Sequence, residues 1–287
     1  MSTQISPSRA FARRGPRRTV IKPSHGWAGL RLAELWSYRE LIGFLVWRDL
    51  KVRYRQTLFG VAWVLLQPLA LMVVFSLFLG QFLKVNTGST PYPVFVFAAL
   101  VPWTLFSQSL MASSSSLVAN AGLLGKIYFP RLLLPVSAVG SYLLDFLISS
   151  TLLIGLIIVY GLTPSPAVVL IPFLAILVVL TALGIGILLS AVNVRYRDVQ
   201  SGVPLLVQLW LFASPIAYPL SLVPAAYRDV YALNPMVSVL QAFRWATLGS
   251  APPSVGMVLV SGSTAIVLFA ISLAYFRRTE RTFADVI

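Results

Sequence analysis

The chain has 287 residues, of which 58% are hydrophobic and only 10% charged; a water-soluble domain carries about 25% charged residues, so this composition excludes a purely soluble protein. With no cysteine and one histidine, His25, it also excludes disulfide frameworks, thiolate metal sites and histidine-based catalysis. The net charge of +14 comes from basic residues that flank apolar runs, which suits anionic lipid and chain orientation and not nucleic acid.

Residues 1–26 are rich in Arg, Ser and Pro and lack the apolar core of a secretory signal, so they read as a disordered basic cytoplasmic tail. Ser37-Tyr38-Arg39-Glu40 has the spacing of a capping box, and the apolar run from Leu41 to Trp47 follows directly. From Arg48 to Arg55 polar and apolar residues alternate, as in a strand. A helix lying in the membrane interface fits better, because long basic side chains reach the headgroups. An amphipathic interface region is therefore predicted over 27–57, carrying Trp47, Arg48, Asp49, Lys51, Arg53 and Tyr54.

Six spans are predicted within 58–276, each close to the roughly 20 apolar residues that a bilayer requires. Leu58 to Leu83 is the first, with Gln67-Pro68 as a kink, and Tyr92 to Ala112 is the second. Ser113 to Arg131 is more polar and reads as a loop with a short helix. Leu132 to Tyr160 is the third span and carries Asp145; Ala167 to Val192 is the fourth, after a turn rich in Pro and Gly. Val203 to Tyr218 is a short fifth span. Pro219 to Pro253 is too broken to cross and reads as re-entrant or interfacial short helices, and Ser254 to Phe276 is the sixth span. Residues 277–287 form a cytoplasmic tail. The fold class is thus an all-α integral membrane protein.

With both termini in the cytoplasm, every basic residue except Lys84, Arg228 and Arg244 falls on the cytoplasmic side, as the positive-inside rule requires. Gly122-Leu123-Leu124-Gly125-Lys126 imitates part of a P-loop, but the spacing fails at both ends, so the chain itself hydrolyses no nucleotide. Asp145 is the only acid within a span. Intramembrane carboxylates are costly, and this one reads as sitting near the cytoplasmic end of its helix, hydrogen-bonded or wet. Gly184 and Gly186 allow close helix approach within the chain. Trp103 and Trp210 fall near mid-bilayer, where packing competes with a role in lining a path.

The stretch from Val46 through Trp47-Arg48-Asp49-Leu50-Lys51-Val52-Arg53-Tyr54-Arg55-Gln56-Thr57, with Gly60, Trp63 and Gln67-Pro68 after it, resembles the opening of the ABC type-2 polysaccharide-exporter permeases. These are membrane subunits that move O-antigen, capsule or teichoic-acid chains. Asn193-Val194-Arg195-Tyr196-Arg197-Asp198-Val199, Ser214-Pro215-Ile216-Ala217-Tyr218 and Asn234-Pro235-Met236 resemble later family stretches, in the same order. The resemblance implies a homodimer with two copies of a separate ABC ATPase subunit, which holds ATP and Mg. This chain then binds no cofactor or metal and is no enzyme. The implied ATPase-docking residues are Lys126, Arg131, Arg195, Tyr196, Arg197 and Asp198. Trp63, Trp103, Phe106, Tyr142, Trp210 and Tyr218 are the candidates for lining the substrate path. The expected function is export of a polysaccharide, lipid-linked by preference, across the bacterial inner membrane. A type-2 exporter of drugs or small amphiphiles is the alternative. A membrane enzyme acting on lipid-linked sugars is the rival of another class, and it lacks the acid/base cluster that such chemistry needs.

Overall fold

A charge-free apolar run in lipid must satisfy its own backbone N–H and C=O groups, and a helix does so within one segment. The computed structural model describes residues 36–55, 60, 62–126, 129–280 and 283, and among these all regular structure is helical. α1 (Arg39–Tyr54) is followed by α2 (Ala62–Phe75), which runs on as a π-helical stretch, Ser76–Phe82. Then come α3 (Tyr92–Ala119), α4 (Leu133–Val159), α5 (Ile171–Arg195), α6 (Val199–Phe212), α7 (Pro235–Leu248) and α8 (Val255–Thr279). The predicted basic tail 1–26, Gln56, Thr57 and most of 277–287 lie outside the described residues.

Five stretches are long and apolar enough to cross a membrane: Ala62–Phe82, Tyr92–Ala119, Leu133–Val159, Pro166–Arg195 and Val255–Thr279. They fall on the first, second, third, fourth and sixth predicted spans. The fifth differs. α6 has 14 residues, about 21 Å at 1.5 Å per residue, against a hydrocarbon core of about 30 Å. It ends at Phe212, two residues before Ser214-Pro215, where proline offers no N–H to extend the ladder. The chain then turns, and at the far end of the bundle the Tyr92 hydroxyl donates to the Ala217 carbonyl at 2.5 Å.

A correction concerns Ser113–Arg131. The helix of the second span continues seven residues beyond Ala112, to Ala119. A run of serines does not break it, because the hydroxyls of Ser114, Ser115 and Ser116 bond back to the preceding turn: Ser114 and Ser115 to the Met111 carbonyl at 2.8 and 3.1 Å, and Ser116 to the Ser113 carbonyl at 2.7 Å. Only after Asn120 does the chain shorten into a single turn, Ala121–Leu124.

α3 is the buried centre of the bundle, flanked by α2, α4, α5 and α7. Small residues set the close approaches. A Cβ on Gly186 would stand 2.5 Å from the Ser113 hydroxyl, and one on Gly184 would stand 3.2 Å from the Phe269 backbone nitrogen. Both glycines therefore serve packing within the chain. α7 sits inside the bundle against α3, α5 and α8, with most of its residues buried. Its start follows from sequence: Asn234 caps it by accepting from the Met236 N–H at 3.0 Å, and Pro235 stands at its first position. Its end is Gly249, at φ +65°, a left-handed cap that favours glycine.

α1 is a helix, as predicted in preference to a strand, and it packs along α4. Val46 presses on Gly140, where a Cβ would meet it at 2.6 Å. Leu45 is buried with Leu117, Leu133, Ile187 and Phe276, while Phe44, Trp47 and Val52 face outward.

Candidate functional site

The most chemically loaded place lies where α1 meets α4, and it corrects the expected position of Asp145 while bearing out its hydrogen bonding. This residue stands near the middle of α4, not close to its end, and it has partners. The Arg53 guanidinium donates to Asp145 Oδ2 at 2.9 Å and to the Ser141 hydroxyl at 2.9 Å. The Tyr54 hydroxyl donates to Asp145 Oδ1. Burial first, and then this carboxylate, raise the Tyr54 phenol above its ordinary value, which keeps its proton in place. The same guanidinium lies 3.8 Å from the centre of the Tyr142 ring, within cation–π range.

These residues form one wall of a cleft of about 320 Å³ between α1, α2, α3 and α4, which is also lined by Trp63, Gln67, Thr104, Gln108 and Ser149. Gln108 donates to Gln67 across it at 3.2 Å. Trp63 shows 54% of its surface. Of the six aromatic residues expected along a path, Trp63 and Tyr142 meet here.

The other four lie elsewhere. Trp103 and Phe106 are buried in the core of this chain, with ring centres 5.3 Å apart, and Phe106 meets Trp210 edge-on at 5.2 Å. This is a packed cluster of α3 and α6. Trp210 also donates its indole N–H to Asn234 at 3.0 Å, tying α6 to the cap of α7. Tyr218 pairs with the Tyr231 hydroxyl at 2.7 Å and donates to the Phe212 carbonyl.

Arg244 escaped the sequence reading, which counted it only among the basic residues on the outer side. It is fully buried. Its guanidinium donates to the carbonyls of Phe95 at 3.1 Å, Pro215 at 2.7 Å and Ile216 at 2.5 Å, and lies 3.6 Å from the centre of the Phe95 ring. No carboxylate is among these partners. The Ser214-Pro215-Ile216 motif is thereby explained: its turned backbone supplies the acceptors that a buried arginine demands.

At the opposite end of the bundle, Lys126, Arg195, Tyr196, Arg197 and Asp198 are all exposed. Arg131 is partly engaged, donating to the Glu280 carbonyl. Of the interface residues, Trp47 and Lys51 face outward, whereas Arg48 bonds Asp49 at 2.8 Å and Asn120 at 2.9 Å. The last contact ties α1 to the end of α3. Among the described residues no group of three metal-binding side chains converges. Gln67 and Arg244 carried one usable signal in sequence, a polar side chain set among apolar neighbours, whereas Gln108 sits between Ser107 and Ser109.

Relatives of known name bear on this arrangement. The O-antigen export system permease protein RfbA of Myxococcus xanthus is 34% identical over 254 residues, which cover 88% of this chain and 97% of that protein. RfbA of Klebsiella pneumoniae is 28% identical over 86% of this chain and 95% of its own length. The polysialic acid transport protein KpsM of Escherichia coli is 26% identical over 81% and 91%. The family model described as ABC-2 type transporter matches residues 40–248, a range that holds α1 to α7, the α1–α4 cleft and the buried arginine. The chain belongs to the ABC-2 type transporter membrane family.

Proposed function

We propose that this chain is the membrane-spanning subunit of an ATP-driven exporter that moves polysaccharide across a bacterial inner membrane. One observation carries the reading. Relatives named for O-antigen export and for polysialic acid transport align over more than nine-tenths of their lengths, and what those names share is a glycan polymer.

In this reading two copies of the chain form the path, and two copies of a separate ABC ATPase subunit hold ATP and Mg. The exposed Lys126 and Arg195–Asp198, with Arg131 beside them, dock that partner; oppositely charged groups at such a rim orient two subunits. Both termini face the cytoplasm, which the placement of basic residues supports. The stretch 199–218 completes a sixth crossing, part helix and part turn, supported by the bond between Tyr92 and Ala217.

Deleting the gene should remove polysaccharide from the cell surface, leave polymer inside, and be reversed by the gene in trans. The purified chain should hydrolyse no ATP alone and should bring down a nucleotide-binding subunit from its own membranes. Surface polysaccharide that survives the deletion, with altered resistance to an amphiphilic drug instead, would transfer the chain to small-molecule export.

A further inference from the structure

Polar side chains persist in an apolar helix wall only where protein, water or a ligand meets them. Gln67 and Gln108 are such side chains, and their mutual hydrogen bond uses one acceptor and one donor. Whichever way the two amides are turned, one carbonyl oxygen and one NH2 are left over beside the cleft. A hydroxyl donates and accepts at once, so adjacent hydroxyls match that pair. Trp63 is half exposed and lines the same cleft, and an indole ring suits the apolar face of a sugar.

Charge selects among ligand classes. Arg53 is matched by Asp145, and both carboxylate oxygens are engaged, by Arg53 and by Tyr54. The cleft therefore offers no net charge. A phosphate could take Arg53 only by stranding a carboxylate in an apolar wall, which is costly. An apolar amphiphile would leave both amides unmet. The cleft volume of about 320 Å³ lies at the small end of ligand pockets, which suits a short stretch of a chain and not a folded domain.

We propose that this cleft is a binding site for uncharged glycosyl units, with Trp63 stacking on the ring and Gln67 and Gln108 bonding its hydroxyls. The inference rests on the reading of the chain as a glycan exporter and narrows it: the site inside one copy recognises neutral sugar, not a charged linkage.

Because the chain has no cysteine, Thr104→Cys places a single thiol in the cleft. Membranes from cells that make the polysaccharide should label with a small uncharged maleimide about threefold more slowly than membranes from cells that cannot make it. In the Gln67→Leu/Gln108→Leu background that protection should vanish, and export should fall about tenfold at unchanged protein level. Should this pair of changes lower the protein, Trp63→Ala against Trp63→Tyr decides in its place, with protection lost in the first and kept in the second. Equal labelling in both kinds of cell overturns the site, as does protection of the purified full chain by inorganic pyrophosphate but not by neutral fragments of the polymer. Gene deletion separates the two failures. If deletion leaves surface polysaccharide in place, the export reading fails. If it abolishes the polysaccharide while labelling stays indifferent, only the cleft assignment fails.

Discussion

Two arginines in this bundle solve the same problem in opposite ways. Arg244 is buried and satisfied by three backbone carbonyls, fixed in place by the turn at Pro215 and Ile216. Arg53 is partly exposed and satisfied by side chains, Asp145 and Ser141, at the edge of a cleft. Backbone acceptors cannot titrate or swing away, so the Arg244 site is a fixed rivet. Side-chain partners match charge with charge, so the Arg53–Asp145 pair gives the cleft a neutral wall. The difference separates a charge locked into the architecture from one neutralised at the edge of a cleft.

The largest effect should come at the rivet. Arg244→Met removes the donor from three buried carbonyls, two of them in the turn at Pro215 and Ile216, and should cost on the order of 3–5 kcal/mol, seen as loss of protein from the membrane fraction. Arg244→Lys should recover only part, since an ammonium lacks the planar fork that reaches three acceptors. A stable, well-expressed Arg244→Met protein would erase the contrast between the two sites.

Next in size is the pair of Arg53 and Asp145. Asp145→Leu strands the Arg53 guanidinium and should cost about 1–3 kcal/mol. Arg53→Leu/Asp145→Leu should restore most of the melting temperature, because removing both partners leaves neither unmatched. If the double change is as damaging as the sum of the single ones, the pair is not the unit described here.

A change without charge calibrates both. Gly186→Ala sets a methyl 2.5 Å from the Ser113 hydroxyl and should cost about 1–3 kcal/mol by overpacking. Ser113→Gly should relieve it. Smallest of all in stability is Asp198→Arg at the exposed end, within about 0.5 kcal/mol of the parent. That variant should nonetheless weaken association with the ATPase subunit in a pull-down. Unchanged association with normal export would reduce the Arg195–Asp198 loop to a marker of orientation.

Some of this was legible in the residues. The long apolar runs located five long helices, since lipid leaves the backbone few other arrangements. Asn234-Pro235, read only as a family stretch, also carried the residue types of a helix start. The serine run after Ala112 misled, because polarity suggests a loop while hydroxyls that bond back to the helix tolerate it. The aromatic candidates divided for a related reason: a span apolar all round does not reveal which face meets lipid, core or cleft. Trp63 and Trp103 look alike in sequence, yet one opens on the cleft and the other is buried.

Sequence by itself determined the solvent, the helices and the family, because these depend on composition, local periodicity and short motifs. Tertiary structure alone decided the partners. Arg53 and Asp145 are 92 positions apart, and Arg244 and Phe95 are 149 apart, distances over which no local pattern speaks. An isolated charge in an apolar segment announces only that it must be matched. Packing of the helices chooses whether a carboxylate or a ring of carbonyls does the matching, and with that choice fixes which arginine builds the fold and which faces the cleft.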